Sequence, residues 1–109
     1  MSGLVGGGKT KSNLIGGGFL GEPNQKWQNV GGSRSSNTTY TNTTGSPIMV
    51  MCSANLAHGH INVVVGSAAT VYNQRYTDWT IAPAFIVPNG TTYKVQASDG
   101  TVDTWNELR

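Results

Sequence analysis

The chain has 109 residues, enough for one domain and too few for two. Charged residues are only 11%, with a net charge of +2, so the scattered Lys and Arg form no basic stripe for a nucleic-acid backbone. No apolar run approaches the ~20 residues of a membrane-spanning helix, and no charged start followed by an apolar stretch marks a signal peptide; the expectation is a soluble protein made in the cytosol.

Residues 1–26 read as a glycine-rich N-terminal arm, and residues 27–109 as the folded domain. Within the arm Leu4-Val5-Gly6-Gly7-Gly8 returns as Leu14-Ile15-Gly16-Gly17-Gly18. Gly3 to Thr10, GLVGGGKT, fits the phosphate-loop pattern letter for letter. A phosphate loop opens a helix whose N-terminus holds the phosphates. Gly16-Gly17-Gly18 follows too soon for a useful helix, so nucleotide binding is rejected.

Trp27-Gln28-Asn29-Val30 is a short strand candidate, and GGSRSS over 31–36 a loop. Residues 37–45 are rich in Thr, Asn and Tyr, which favours extended backbone, and Gly45 with Pro47 marks a turn. IMVMCSA, 48–54, is apolar on both faces, as in a strand buried on two sides. Cys52, the only cysteine, sits there as an inert core thiol. Residues 55–60 read as a loop, followed by the strand INVVV over 61–65. Further strands are expected at 70–73, 79–81 and 85–87. Pro88-Asn89-Gly90 is a tight turn. Residues 92–97 alternate Tyr93, Val95 and Ala97, Ser98-Asp99-Gly100 is a hairpin turn, and 102–108 closes the sheet with Trp105 and Leu108 as anchors. Short strands at this spacing, with no helical period, predict an all-β antiparallel β-sandwich, jelly-roll-like.

The catalytic inventory is poor. Of five acids, Asp103 and Glu107 are expected to be solvated near the terminus, and Asp78 alone has aromatic neighbours. No Ser or Cys lies beside a placed His and acid, so the chain is not expected to be an enzyme, and no cofactor is indicated. His58 and His60 are too few to hold a transition metal within one chain; a metal site is expected there only if several chains share it. The Asn-x-Thr triplets at Asn37, Asn42 and Asn89 follow from an Asn/Thr-rich composition. Tyr72, Asn73, Arg75, Tyr76, Asp78 and Trp79 combine rings, amides and a guanidinium, as sugar recognition does. They are the candidate ligand-binding residues, centred on an expected loop over 73–77.

Three phrases occur in order: TTYTNTTGSPIMVMCSA over 38–54, FIVPNGTTYKV over 85–95 and WNEL over 105–108, with WQNV upstream. Together they resemble the terminal β-sandwich domain of bacteriophage tail-fibre and related tail proteins, over roughly residues 27–109. The resemblance implies a homotrimeric knob on the virion, in the phage tail, contacting a host surface glycan or protein. It implies other tail or virion proteins as partners of residues 1–26, with no nucleic acid and no membrane insertion. The alternative is a small structural virion component that joins or decorates tail or capsid proteins without a host ligand. Many apolar residues on both strand faces, with few charges, call for partner surface.

Overall fold

A computed structural model describes residues 18–67, 69–98 and 102–109. The strands are β1 (Trp27–Asn29), β2 (Tyr40–Thr41), β3 (Ile48–Val65), β4 (Ala69–Ile81), β5 (Ala84–Val87), β6 (Thr92–Ala97) and β7 (Val102–Leu108), with one 3-10 turn at Gly31–Ser33. Every pairing is antiparallel. The protein is all-β, with two antiparallel sheets packed face to face as a β-sandwich.

The two sheets are one sheet folded double. β3 runs through both, and its partners change along its length. Residues 48–54 of β3 lie between β5 and β7, with β1 outside β7. Residues 61–65 lie between β4 and β6, with β2 outside β6. The pairing with β5 and β4 keeps one register from Ile48↔Val87 through Met51↔Ala84 and Ala54↔Ile81 to Val63↔Tyr72. The Cys52 N–H donates to the Pro83 carbonyl where the ladder is broken. On the other edge, β6 and β7 lie end to end along β3.

Distances require the sheet to fold back on itself. The fifteen residue steps of a straight strand from Val50 to Val65 would span ~50 Å. Yet Tyr93, paired with Val65, has its ring centroid 6.5 Å from that of Phe85, which is paired with Val50. The ribbon of 55–60 with 75–80 is therefore the crease. Inward residues change from even (Ile48, Val50, Cys52, Ala54) to odd (Ile61, Val63, Val65) across it. The ribbon thus rotates about its own axis as well as bending, which two-stranded ribbons do readily.

Between the layers lies one core of Val, Ile and Ala side chains with Phe85, Tyr93 and Trp105. Alternation places these residues inward on each strand. It is clearest on β6, where Tyr93, Val95 and Ala97 are buried and their neighbours are not. Burial pushes the Cys52 thiol up to about 12, consistent with an inert core cysteine.

Five expectations are corrected. Residues 55–60 are strand and not loop, because β4 pairs with them throughout. The expected strands at 70–73 and 79–81, with the loop over 73–77, are one strand, β4. Residues 48–54 are buried on one face only: Met51 is 41% exposed. Leu108 is half-buried, and the inward anchors of β7 are Trp105 and Glu107. Within the expected extended stretch 37–45, only Tyr40–Thr41 is strand.

Opposite the crease, the loops around 42–46 and 88–91 close the open end. Asn42 is 1% exposed and its amide donates to the carbonyls of Ser46 (2.8 Å) and Val87 (3.0 Å). Its Oδ1 accepts from the Thr44 N–H and hydroxyl. This gives the Asn42-x-Thr44 triplet an architectural reason beyond composition. Gly45, at φ 93°, turns the chain where a side chain would be strained. The described end of the arm is strapped here: the Gly18 N–H donates to the Gly45 carbonyl, Ser46 Oγ to Glu22, and Gln25 Nε2 to the Pro47 carbonyl.

Asn42→Ala would leave the Ser46 and Val87 carbonyls without their buried donor. It is expected to lower unfolding stability by about 2 kcal/mol, measured by urea denaturation, while Asn89→Ala on the exposed side of the same loops costs less.

Candidate functional site

The one fully buried carboxylate among the described residues is Glu107, on the inner face of β7. Oε2 accepts from Tyr93 Oη (2.8 Å), Trp105 Nε1 (3.0 Å) and Arg34 Nε (3.1 Å). Oε1 accepts from Arg109 Nη1 (2.7 Å) and Arg34 Nη2 (3.1 Å). Arg34 lies over the Tyr40 ring, 4.8 Å from its centroid, and the Tyr40 ring meets Trp105 edge-on. The expectation that Glu107 is solvated is overturned. Trp105-x-Glu107 is an i, i+2 pair on one strand, so both side chains enter the core together, whereas Asp103 is exposed beside a bulge.

Burial alone would raise the Glu107 carboxyl, but hydrogen bonds from Arg34, Tyr93, Trp105 and Arg109 outweigh it and hold the group below the usual carboxylate range. Burial and the bond to Glu107 push Tyr93 up to about 12. The carboxylate's oxygens are saturated with donors and closed to solvent. A group so placed has no face to offer a substrate; its work is to join β6, β7 and the 30–40 segment.

The solvent face of the β4–β3–β6 layer is different. Gln96, Asn62 and Asn73 stand side by side across three strands. Asn62 Nδ2 donates to Gln96 Oε1 (2.7 Å), and Asn73 Nδ2 donates to Asn62 Oδ1 (2.9 Å). The ladder ties three amides in a row and leaves donors and acceptors of the same groups facing water. One step along the strands lies a hollow of about 250 Å³, walled by Thr39, Thr92, Lys94, Val64 and Ser67. One step the other way, toward the crease, the His60 N–H donates to Ser98 Oγ (2.9 Å) and the Ser98 N–H to the His60 carbonyl (3.0 Å).

Of the sequence-derived ligand residues, Asn73 lies on this face. Tyr72 does not: it pairs with Val63 and packs against the core, because adjacent strand residues point to opposite sides. Arg75, Tyr76 and Trp79 pair with His60, Gly59 and Leu56 in the crease ribbon, and Asp78 lies on the same stretch of β4. The side chains of Arg75, Tyr76, Asp78, Trp79 and His58 lie outside the described ones. His58 and His60 are alternate positions on β3, opposite Thr77 and Arg75. Among the described residues, no group of three or more His, Cys, Asp or Glu side chains comes together to hold a metal. The Gly3 to Thr10 pattern and both copies of the arm repeat, apart from Gly18, also lie outside the described residues.

Sequence reading missed Asn62, Gln96 and Lys94. Asn62 interrupts the apolar run INVVV, and Gln96 and Lys94 alternate with Val95 in KVQA; period two placed them on the outer face, but only the strand order brings them together.

Glu107→Gln removes the charge that Arg34 and Arg109 share, and is expected to cost about 3 kcal/mol at neutral pH. The folded state favours the ionised carboxyl, so its contribution is present above the ordinary carboxylate value and lost as pH falls through the lower folded value. Wild-type stability should therefore drop on acidification from about pH 5 toward pH 2, and that drop should be shallower in Glu107→Gln, followed by thermal melts across pH.

No family model matches the chain, and no curated protein or solved structure matches it.

Proposed function

We infer that the protein is a phage tail-fibre-type virion component, homotrimeric, that contacts a host-surface glycan with the outer face of the β4–β3–β6 layer and performs no catalysis. The observation that carries this reading is the amide ladder Gln96–Asn62–Asn73 beside the hollow at Lys94 and Thr92. Sugar hydroxyls are recognised by fixed amides that pair bidentately, and a preformed array loses little entropy on binding.

The polarity of the molecule supports it further. The described end of the arm is held at the open end of the sandwich by the Gly18 to Gly45 bond. The crease, with Arg75, Tyr76, Asp78 and Trp79 on its ribbon, is the opposite end. An attachment end and a contact end at opposite poles is the arrangement a tail tip needs. The wording of the sequence, from TTYTNTTGSPIMV to WNEL, points the same way.

One observation favours the structural alternative, a component that joins other tail or capsid proteins. The other outer face, of the β5–β3–β7–β1 layer, carries an apolar row of Ile86, Met49, Leu108 and Trp27, as a buried contact in an assembly does.

Asn62→Ala with Gln96→Ala should leave the fold intact and weaken adsorption of the purified protein to host cells or arrayed glycans about tenfold, ~1.4 kcal/mol. A protein that binds no cell surface or glycan would support the joining role instead. Arg75→Ala with Tyr76→Ala tests the crease in the same assay; adsorption equal to wild type would remove the crease from the contact.

A further inference from the structure

The hollow beside the amide ladder holds a cation without a counter-charge. Its wall includes Thr39, Val64, Ser67, Thr92 and Lys94. Among the described residues, the Thr39, Ser67 and Thr92 hydroxyls and the Lys94 ammonium make no hydrogen bond or ion pair. The other cations with described side chains are placed differently. Arg34 and Arg109 are bound to Glu107, and Lys26 precedes β1 on the other layer. Lys94 is half-buried on β6. Of the described acids, Glu107 is on the inner face, Glu22 is held at Ser46 and Asp103 lies on β7, so none shares the outer face with Lys94.

The strand grid sets this charge beside the amides. Lys94 and Gln96 are alternate residues of β6, pairing with Val64 and Asn62 of β3. They therefore stand on one face ~7 Å apart, about the reach of one sugar ring with its substituents. Apolar contact is available between strands. Val64 lines the hollow, and beside it Val71, the extra residue at the register shift between β3 and β4, is 50% exposed. A bulge of this kind re-aims a side chain. The hollow, about 250 Å³, falls below the ~300–1,000 Å³ of a drug-sized pocket and suits a single ring.

We propose that this hollow receives the carboxylate of an acidic sugar, of the uronic or sialic acid type, with Lys94 as its counter-charge and the ring hydroxyls on the Gln96–Asn62–Asn73 ladder. The Thr and Ser hydroxyls of the wall can donate to the same carboxylate. One ammonium matches one negative charge. A phosphate monoester carries about −1.5 to −2 at neutral pH and calls for an arginine fork or several cations, which the described residues of this face do not supply. This deepens the reading above and rests on it: the glycan contact comes from that reading, and the charge of the sugar is what is added.

The test is calorimetric titration of the purified protein with oligosaccharides of glucuronic, galacturonic and mannuronic acid, each beside its carboxyl-reduced and its phosphorylated counterpart, and with sialyl-lactose beside lactose. It is run on wild type, Lys94→Gln and Lys94→Arg, with circular dichroism as the check on folding. The expected result is that at least one acidic sugar binds wild type about tenfold more tightly than its neutral counterpart, a margin that shrinks with added salt. Lys94→Gln removes the margin and leaves the neutral affinity unchanged, and Lys94→Arg keeps it. The wild-type comparison of acid with neutral sugar stands whether or not Lys94→Gln folds. Equal affinity for acid and neutral sugar, or a margin that Lys94→Gln retains, overturns the proposal and leaves the glycan contact standing. Tighter binding of the phosphorylated sugars than of every carboxylate overturns the carboxylate assignment. Binding to none of the sugars, acidic or neutral, overturns the proposal together with the glycan contact.

Discussion

A single carboxylate with five donors holds the two layers and their connecting segment together. Glu107 takes hydrogen bonds from Tyr93 on β6, Trp105 on β7, Arg34 before β2 and Arg109 after β7. The arrangement is costly to assemble, because a charge leaves water, and costly to break, because removing any donor leaves the charge less satisfied. Such a group also specifies register. Any slip of β7 by one residue would turn Glu107 to solvent and put Asn106 or Leu108 against Arg34. The bidentate fork of Arg34 fixes where the 30–40 segment crosses the end of the sheet, and the Tyr40 ring, held under that arginine, completes the aromatic contact with Trp105 and Tyr93.

The doubled sheet then decides what each surface can do. Because β3 passes through both layers, its two halves present opposite sets of side chains to water. Before the crease the outward residues are Met49 and Met51; after it they are Asn62 and Val64. One layer consequently shows an apolar face and the other an amide-rich one. A chain with few charges has limited means of staying apart from its copies. The crease and the open end give the same molecule a direction: the arm is anchored at Gly45 and Ser46, and the aromatic and charged residues of β4 lie at the far end.

Much of the architecture was legible because period two is robust. Tyr93, Val95 and Ala97 alternate inward as expected, Trp105 is a core anchor, and the turn at Pro88-Asn89-Gly90 stands, with Gly90 at φ 78°. The continuous strands were not legible. NLAHGH carries glycine and two histidines, and NQRYT is polar, so each alone looks like a loop; paired with each other, they form one antiparallel ladder across the ribbon. Tyr72 was grouped with Asn73 by proximity in sequence, and the pleat separates them.

The sequence by itself determined the class: short alternating strands, few charges, no helical period, and a face-specific pattern on β6. It also held the ingredients of the central cluster, as Trp105 and Glu107 two residues apart. What only the tertiary structure decided was partnership. Arg34 and Glu107 are 73 residues apart in the chain, and Gln96 and Asn62 are 34 apart; neither pair leaves a local signal. Burial of a carboxylate depends on donors arriving from other strands. An amide ladder depends on strand order, which alternation within one strand does not encode.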